Sequence, residues 1–396
     1  MKSKRILFLV IPEKGHINPA IGVAQHLQAD GFEIAFHSQV NIEEQLTHAG
    51  LSQFLAPPKN APPSPNRGKA FSENVCDQRW LRDWIKQMLI EGAREAVAPL
   101  RKVIQAYEPD LIITDPMIYP AVIAAQLEAI PWVALSNSLN PVLPPAIKSD
   151  LLDTVLSLSQ DRDKLFAEFG LTAEFRGCDA LSPFLTIAFT TEAFSGAPVE
   201  GVAQVGPSRP LNRRGDESPS FDWNSPGDDS PLIYASFGSQ VFYQPDFFLK
   251  IIEAVRGQDV RLIAAIHELQ DDARFQGLPA NIVVCGYAPQ LEILKRAKLL
   301  ITHGGANSVM EALATSTPVL IQPICNDQFH QSWFVEKAGC GETIQLDELS
   351  ASDLREIIER TLNDPVLNSR VSKIAESYQT NGAENAARLI RNLLPK

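Results

Sequence analysis

With 396 residues the chain is long enough for two globular domains, and 45% hydrophobic against 21% charged residues lets each bury a sizeable core. Thirty-five Lys and Arg against 47 Asp and Glu leave a formal net charge of −12, which argues against general binding of nucleic acid or an anionic membrane. The five cysteines, Cys76, Cys178, Cys285, Cys325 and Cys340, have neither the paired spacing of a zinc site nor the density of a disulfide scaffold, so a reducing, cytoplasmic compartment is expected.

The first apolar run, Ile6–Ile11, follows Lys2, Lys4 and Arg5 and stops at Pro12, Glu13 and Lys14. It is too short for a secretory signal and lacks a small-residue cleavage site, so it reads as a buried first strand. No stretch approaches the roughly 18 apolar residues of a membrane span. A turn carrying His16 comes next, then a helix predicted from Pro19 to Ala29 and ended by Gly31. Further strands are predicted at Phe32–His37, Leu111–Thr114, Trp132–Ser136 and Leu185–Phe189, with helical patterns between them. A Pro-rich stretch, Ala56–Gly68, interrupts this half as a surface loop.

Gly206–Pro231 holds five prolines, three glycines and almost no periodic apolar pattern, and it reads as an interdomain linker. Strands Leu232–Ser236, Arg261–Ile266, Ile282–Cys285, Leu299–Thr302 and Val319–Pro323 then alternate with helices such as Phe247–Arg256 and Ser308–Ala314. Strands alternating with helices imply parallel sheets covered on both faces. The predicted class is α/β, with two doubly wound, Rossmann-like domains facing across a cleft that would hold the ligand. The expected division is 1–205, linker 206–231, 232–380 and a last helical segment 381–396.

Between Tyr287 and Gln328 lies the most informative segment. The buried strand Leu299-Leu-Ile-Thr302 runs into His303-Gly304-Gly305-Ala306-Asn307-Ser308 and then a helix. Glycines at a strand-to-helix turn let backbone approach a ligand, and the helix start offers free N–H groups to an anion such as phosphate. The turn has no Lys and no Walker spacing, so it is not a P-loop. Glu311, four residues after Asn307, shares that helix face and suits ribose hydroxyls. His16 after the first strand, and Asp115 at the end of a later one, are placed to meet at one sheet edge.

Other signals are weaker. Asp161-Arg162-Asp163 spells the metal-binding Asp-x-Asp, but it falls in a polar helical stretch and reads as a solvated face. Trp80, Trp84 and Met88 recur at helical spacing and read as core packing. The interleaved Arg79, Arg82 and Lys86 also suit weak membrane association.

Tyr287-Ala288-Pro289-Gln290 before the turn, and Pro318, Pro323 and Asp327-Gln328 after it, make the pattern specific. In order and approximate spacing it resembles the donor-binding signature of the family-1, nucleotide-sugar-dependent glycosyltransferases, which have the GT-B fold. Gly15-His16-Ile17-Asn18-Pro19 and Phe237-Gly238-Ser239 extend the resemblance over nearly the whole chain. The turn Gly-Gly-Ala-Asn-Ser is more similar to bacterial members acting on carotenoids such as zeaxanthin, or on macrolides, than to plant members.

The resemblance implies a role for each matching residue. Tyr287 would stack on the nucleobase, with Ala288 beside it; Gln290 and Glu311 would reach the ribose. His303, Gly305, Asn307, Ser308 and Ser239 would hold the diphosphate, and Asp327 and Gln328 the sugar hydroxyls. His16 would be the general base and Asp115 its orienting partner, while the final helix would cross back to the first domain. The implied activity is inverting, metal-independent transfer of a hexose, glucose from UDP-glucose, to a hydroxyl of a lipophilic small molecule. No cofactor is implied beyond this nucleotide-sugar co-substrate. The alternatives are a nucleotide-sugar epimerase of the same fold, which would not need His16 and Asp115, and a catalytically silent nucleotide-sugar-binding protein.

Overall fold

Short apolar strands such as Leu111–Thr114 are buried at every position, the signature of parallel strands covered on both faces. The computed structural model, which describes residues 3–56, 67–216, 221 and 230–394, gathers them into two units. Residues 3–56, 77–216 and 380–394 make the first unit; residues 67–76, 221 and 230–379 make the second. Most of the Pro-rich stretch after Ala56, and the linker at 217–220 and 222–229, lie outside the described residues.

The first unit contributes β1 (Arg5–Leu9), β2 (Glu33–His37), β3 (Phe54–Leu55), β4 (Leu111–Thr114), β5 (Trp132–Ser136), β6 (Glu174–Arg176), β7 (Asp179–Leu181), β8 (Leu185–Ala188) and β9 (Val202–Gln204). Seven of them form a parallel sheet in the order β3-β2-β1-β4-β5-β8-β9, while β6 and β7 pair as an antiparallel hairpin. The chain winds outward from β1 to β3, then crosses to β4 and continues the other way. This reversal opens a crevice at the strand ends, where Leu9 pairs with Thr114.

The helix after β1 spans Lys14–Ala29, five residues more than the Pro19 start expected from the sequence. Its first residue follows Glu13, whose carbonyl accepts from His16 and Ile17 but whose side chain makes no cap, so no capping signal marks the start. Pro19 sits inside the helix, and His16 is in its first turn rather than in a loop.

Residues 206–216 lie along this same helix. Gln25 accepts from the Leu211 amide at 2.8 Å and donates to the Arg213 carbonyl at 2.7 Å, while Ser208 donates to the Pro19 carbonyl at 2.8 Å. Arg214 is buried beside Asp216 at 2.7 Å. The last helix, Gly382–Leu393, also packs there, and Arg391 pairs with Asp30 at 3.0 Å.

Helix Gln78–Lys86 runs into a wide π-type turn, Gln87–Glu91, which breaks the expected stripe. Ile85 and Leu89 enter the core, Trp80 and Trp84 stack at 6.2 Å half-buried, and Met88 faces solvent.

The second unit contains β10 (Leu232–Ser236), β11 (Arg261–Ala265), β12 (Ile282–Cys285), β13 (Ala297–Thr302), β14 (Val319–Ile321) and β15 (Gly341–Thr343). All are parallel in the order β12-β11-β10-β13-β14-β15, so the reversal falls between β10 and β13, where Ser236 pairs with Thr302. Phe237 and Phe248 pack edge-on at 4.9 Å within its core. The short helix Lys69–Asn74 joins this unit: Gly68 donates to the Gln240 carbonyl at 3.2 Å, and Phe71 is buried.

Candidate active site

Both reversals carry polar side chains. In the first unit Asp115 follows β4 directly, is buried, and lies with Oδ2 2.5 Å from His16 Nδ1. The same oxygen accepts from Asn137 Nδ2 at 3.1 Å, and Oδ1 accepts from the Met117 amide at 3.0 Å. A carboxylate held on three sides holds the imidazole in turn. With Nδ1 against Asp115, the neutral ring carries its proton there and its lone pair on Nε2.

Sequence reasoning missed Asn137 and a second buried carboxylate, Asp179, which accepts from Ser136 and Asn140. The polar run Ser136-Asn-Ser-Leu-Asn140, starting where a fully buried strand ends, was the available signal.

In the second unit Ser239 lies in the loop after β10, and His303 follows β13 directly. The helix after His303 spans Ala306–Ala314 with Gly305 as its N-cap, two residues earlier than expected. Asn307 and Ser308 are therefore in the first helical turn, where backbone N–H groups lack intrahelical partners. Gly238 has φ +71°, and a Cβ there would fall 2.5 Å from His303 Cε1, so backbone packs directly on the imidazole. The residue is half-buried, yet its ring is desolvated enough to be pushed down to about 4, with a Ser236 backbone hydrogen bond opposing the shift.

Gln290 opens the helix Gln290–Leu294, and its Nε2 donates to Glu311 Oε2 at 2.7 Å and lies 3.3 Å from Ser308 Oγ. Tyr287, half-buried, has His267 edge-on at 6.4 Å; His267 also touches Phe242 at 4.4 Å and the Gly238 carbonyl at 3.0 Å. That histidine is a further site residue no motif announced. Ala288 is buried behind the same loop. Asp327 precedes the helix Gln328–Ala338, whose first side chain, Gln328, is buried. Within the second unit the structure thus joins Gln290, Ser308 and Glu311 by hydrogen bonds, and sets Ser239 one residue from the Gly238 that packs on His303.

Elsewhere, Asp161 and Asp163 lie on the helix Ser159–Ala167, with Asp161 3.9 Å from Lys164. Among the described residues no three His, Cys, Asp or Glu gather as a ligand set, and no helix is long and apolar enough to cross a membrane. None of the five cysteines is in a disulfide.

Residues 249–390 match the family model described as "Erythromycin biosynthesis protein CIII-like, C-terminal domain". The chain is 26% identical to an uncharacterized UDP-glucosyltransferase of Bacillus subtilis, YojK, over 96% of this chain and 95% of that one. It is 28% identical to the NDP-glycosyltransferase YjiC of Bacillus licheniformis, over 98% and 97%. Among solved structures, the glycotransferase of kitacinnamycin superposes with a TM-score of 0.78 at 21% identity, covering 100% of both chains. With two reversed parallel sheets, a glycine-rich polar turn after β13 and relatives matched end to end, the chain has the GT-B fold and is similar along its whole length to nucleotide-sugar glycosyltransferases.

Proposed function

We propose that this enzyme transfers a hexose, glucose from UDP-glucose, to a hydroxyl of a lipophilic natural-product-like acceptor, with inversion and without a metal. The observation that carries the reading is the 2.5 Å contact between His16 Nδ1 and Asp115 Oδ2 at the first unit's strand reversal. An epimerase or a silent binding protein has no use for such a pair. Imidazole titrates near working pH, so Nε2 takes the hydroxyl proton as the acceptor oxygen attacks the anomeric carbon, and Asp115 stabilises the imidazolium. The new C–O bond forms opposite the breaking bond to diphosphate, whose oxygen leaves with the electron pair, and this inverts the centre.

Charge growing on the diphosphate is met by first-turn N–H groups of the helix Ala306–Ala314 and by His303. His303 is neutral at working pH, so it acts as a hydrogen-bond donor and not as a cation. Gln290 and Glu311 suit the ribose, and Tyr287 the base. The relatives' names support the UDP-glucose assignment and the erythromycin-type domain supports the acceptor class. We place the enzyme in the cytoplasm, a reducing compartment consistent with five cysteines outside any disulfide.

His16→Ala tests the reading. UDP affinity by calorimetry should stay intact while transfer to alcohol acceptors falls by about 10²–10⁴. Near-normal turnover with an alcohol would remove the general base. Mass spectrometry of products from a panel of phenols, terpenoids and macrolides identifies the acceptor class.

A further inference from the structure

The proposed reaction makes no use of Asp179, although it is the most enclosed carboxylate beside the catalytic pair. It opens β7 and is 1% exposed. Ser136 Oγ donates to its Oδ2 at 2.5 Å, and Asn140 Nδ2 donates to its Oδ1 at 2.8 Å. Burial pushes the carboxyl up to about 7, and Asp115 and His16 act on it with opposite sign. A carboxylate is a costly way to fill a hairpin, because its desolvation outweighs anything an apolar residue would lose there.

The loop it holds explains the cost. Ser136 and Asn140, at the loop's two ends, bind Asp179. Asn137 between them donates to Asp115 Oδ2 at 3.1 Å, the oxygen that His16 Nδ1 meets. Ser138 braces the turn: its Oγ accepts from the Asn140 amide at 3.2 Å, and its carbonyl lies 3.2 Å from Ser136 Oγ, whose one proton is directed to Asp179. On the other side the Ala180 amide donates to the Pro116 carbonyl at 3.2 Å, so β7 also borders the residue after Asp115.

We propose that Asp179 is a positioning residue for transfer, clamping the Ser136–Asn140 loop so that Asn137 holds Asp115, and through it the His16 tautomer. This rests on the general-base reading above. A hairpin anchor with no catalytic reach would instead cost every acceptor the same.

The test compares Asp179→Ala, Asp179→Asn and Asn137→Ala with an alcohol and with a strongly acidic phenol, which ionises without a base. Asp179→Ala releases both loop ends and should lower kcat with the alcohol by about ten- to a hundredfold, leave KM for UDP-glucose unchanged, and cost the acidic phenol less than about threefold. Asp179→Asn keeps an acceptor for Asn140 and offers Ser136 a donor, and Ser136 is then free to turn its proton to the Ser138 carbonyl; it should restore most of the turnover. Asn137→Ala touches neither bond of Asp179 and should reproduce the acceptor-dependent loss, even if Asp179→Ala does not fold. Equal losses for alcohol and phenol in Asp179→Ala, or full alcohol turnover in Asn137→Ala, overturn the inference. His16→Ala run alongside separates the two ideas: normal alcohol turnover there overturns both, whereas an inactive His16→Ala beside an indifferent Asn137→Ala overturns this one alone.

Discussion

Gln290 Nε2 lies 2.7 Å from Glu311 Oε2, which makes one unit of two residues that stand 21 positions apart. Each therefore presets the other. On the proposed ribose assignment, an arriving hydroxyl would meet a carboxylate already oriented by an amide, so little side-chain entropy would remain to be lost on binding. Glu311→Ala and Gln290→Ala should each weaken UDP binding by about 1–3 kcal/mol. The double variant should lose clearly less than the sum, because the second change removes an interaction the first has already broken. Calorimetry showing unchanged UDP affinity in both single variants would remove the ribose assignment; strictly additive losses would mean that the bond between them is idle.

His303 supplies a pH prediction. Its folded-state pKa is lowered from 6.5 to about 4, chiefly by burial. The folded protein thus holds fewer protons than the unfolded chain across that interval. Stability from this group is complete above about 6.5 and is lost as pH falls toward 4, so denaturant midpoints should drop over that window in the wild type and drop less in His303→Ala. Above pH 6 the His303→Ala penalty on UDP binding should be constant. A penalty that grows as pH is lowered from 7.5 to about 6 would mean that the ring binds as a cation.

Much of this molecule was legible in the sequence, for a physical reason. Strands such as Leu111–Thr114 and Leu299–Thr302 are apolar up to their closing threonine because both faces are covered, and the turn after Thr302 carries a specific set of polar residues. What was hidden lacked a local signal. The helices starting at Lys14 and Ala306 have Glu13 and Gly305 before them, neither giving a side-chain cap. Residues 206–216 dock through Gln25 and Ser208, polar bonds that no hydropathy pattern registers. Asp179 sits in a three-residue strand, and its partners are 43 and 39 positions away.

Gly238 tests how tightly the proposed diphosphate end is built. A side chain there must adopt φ +71° and place Cβ 2.5 Å from the His303 ring. Gly238→Ala should cost about 1–3 kcal/mol of stability and weaken UDP binding as the imidazole is displaced. Gly15→Ala is the control, since a Cβ there meets nothing within 4 Å and the site is helical. It should gain up to about 1 kcal/mol from helix propensity. Gly238→Ala with wild-type stability and UDP affinity would show that the loop shifts at no cost.

Asp327 and Gln328 are assigned together to the sugar, but the geometry divides them. Gln328 Oε1 accepts from the amides of Ile324 at 2.8 Å and Cys325 at 3.0 Å, and its Nε2 lies 3.5 Å from Cys325 Sγ. The side chain is buried and engaged by its own loop. Asp327, half-buried at the helix start, makes no capping bond. Asp327→Ala should therefore reduce kcat/KM with UDP-glucose by about 1–3 kcal/mol, roughly five- to 150-fold, while UDP affinity stays constant, because UDP has no hexose hydroxyls to lose. Gln328→Ala strands one buried and one half-buried amide and should cost about 1–3 kcal/mol of folding stability, weakening UDP and UDP-glucose alike. Gln328→Glu keeps the accepting oxygen and should recover most of that stability. If Asp327→Ala weakens UDP as much as UDP-glucose, Asp327 acts on the loop. If Gln328→Ala folds with wild-type stability and loses only the sugar donor, Gln328 is the sugar ligand and the division drawn from the loop geometry is wrong.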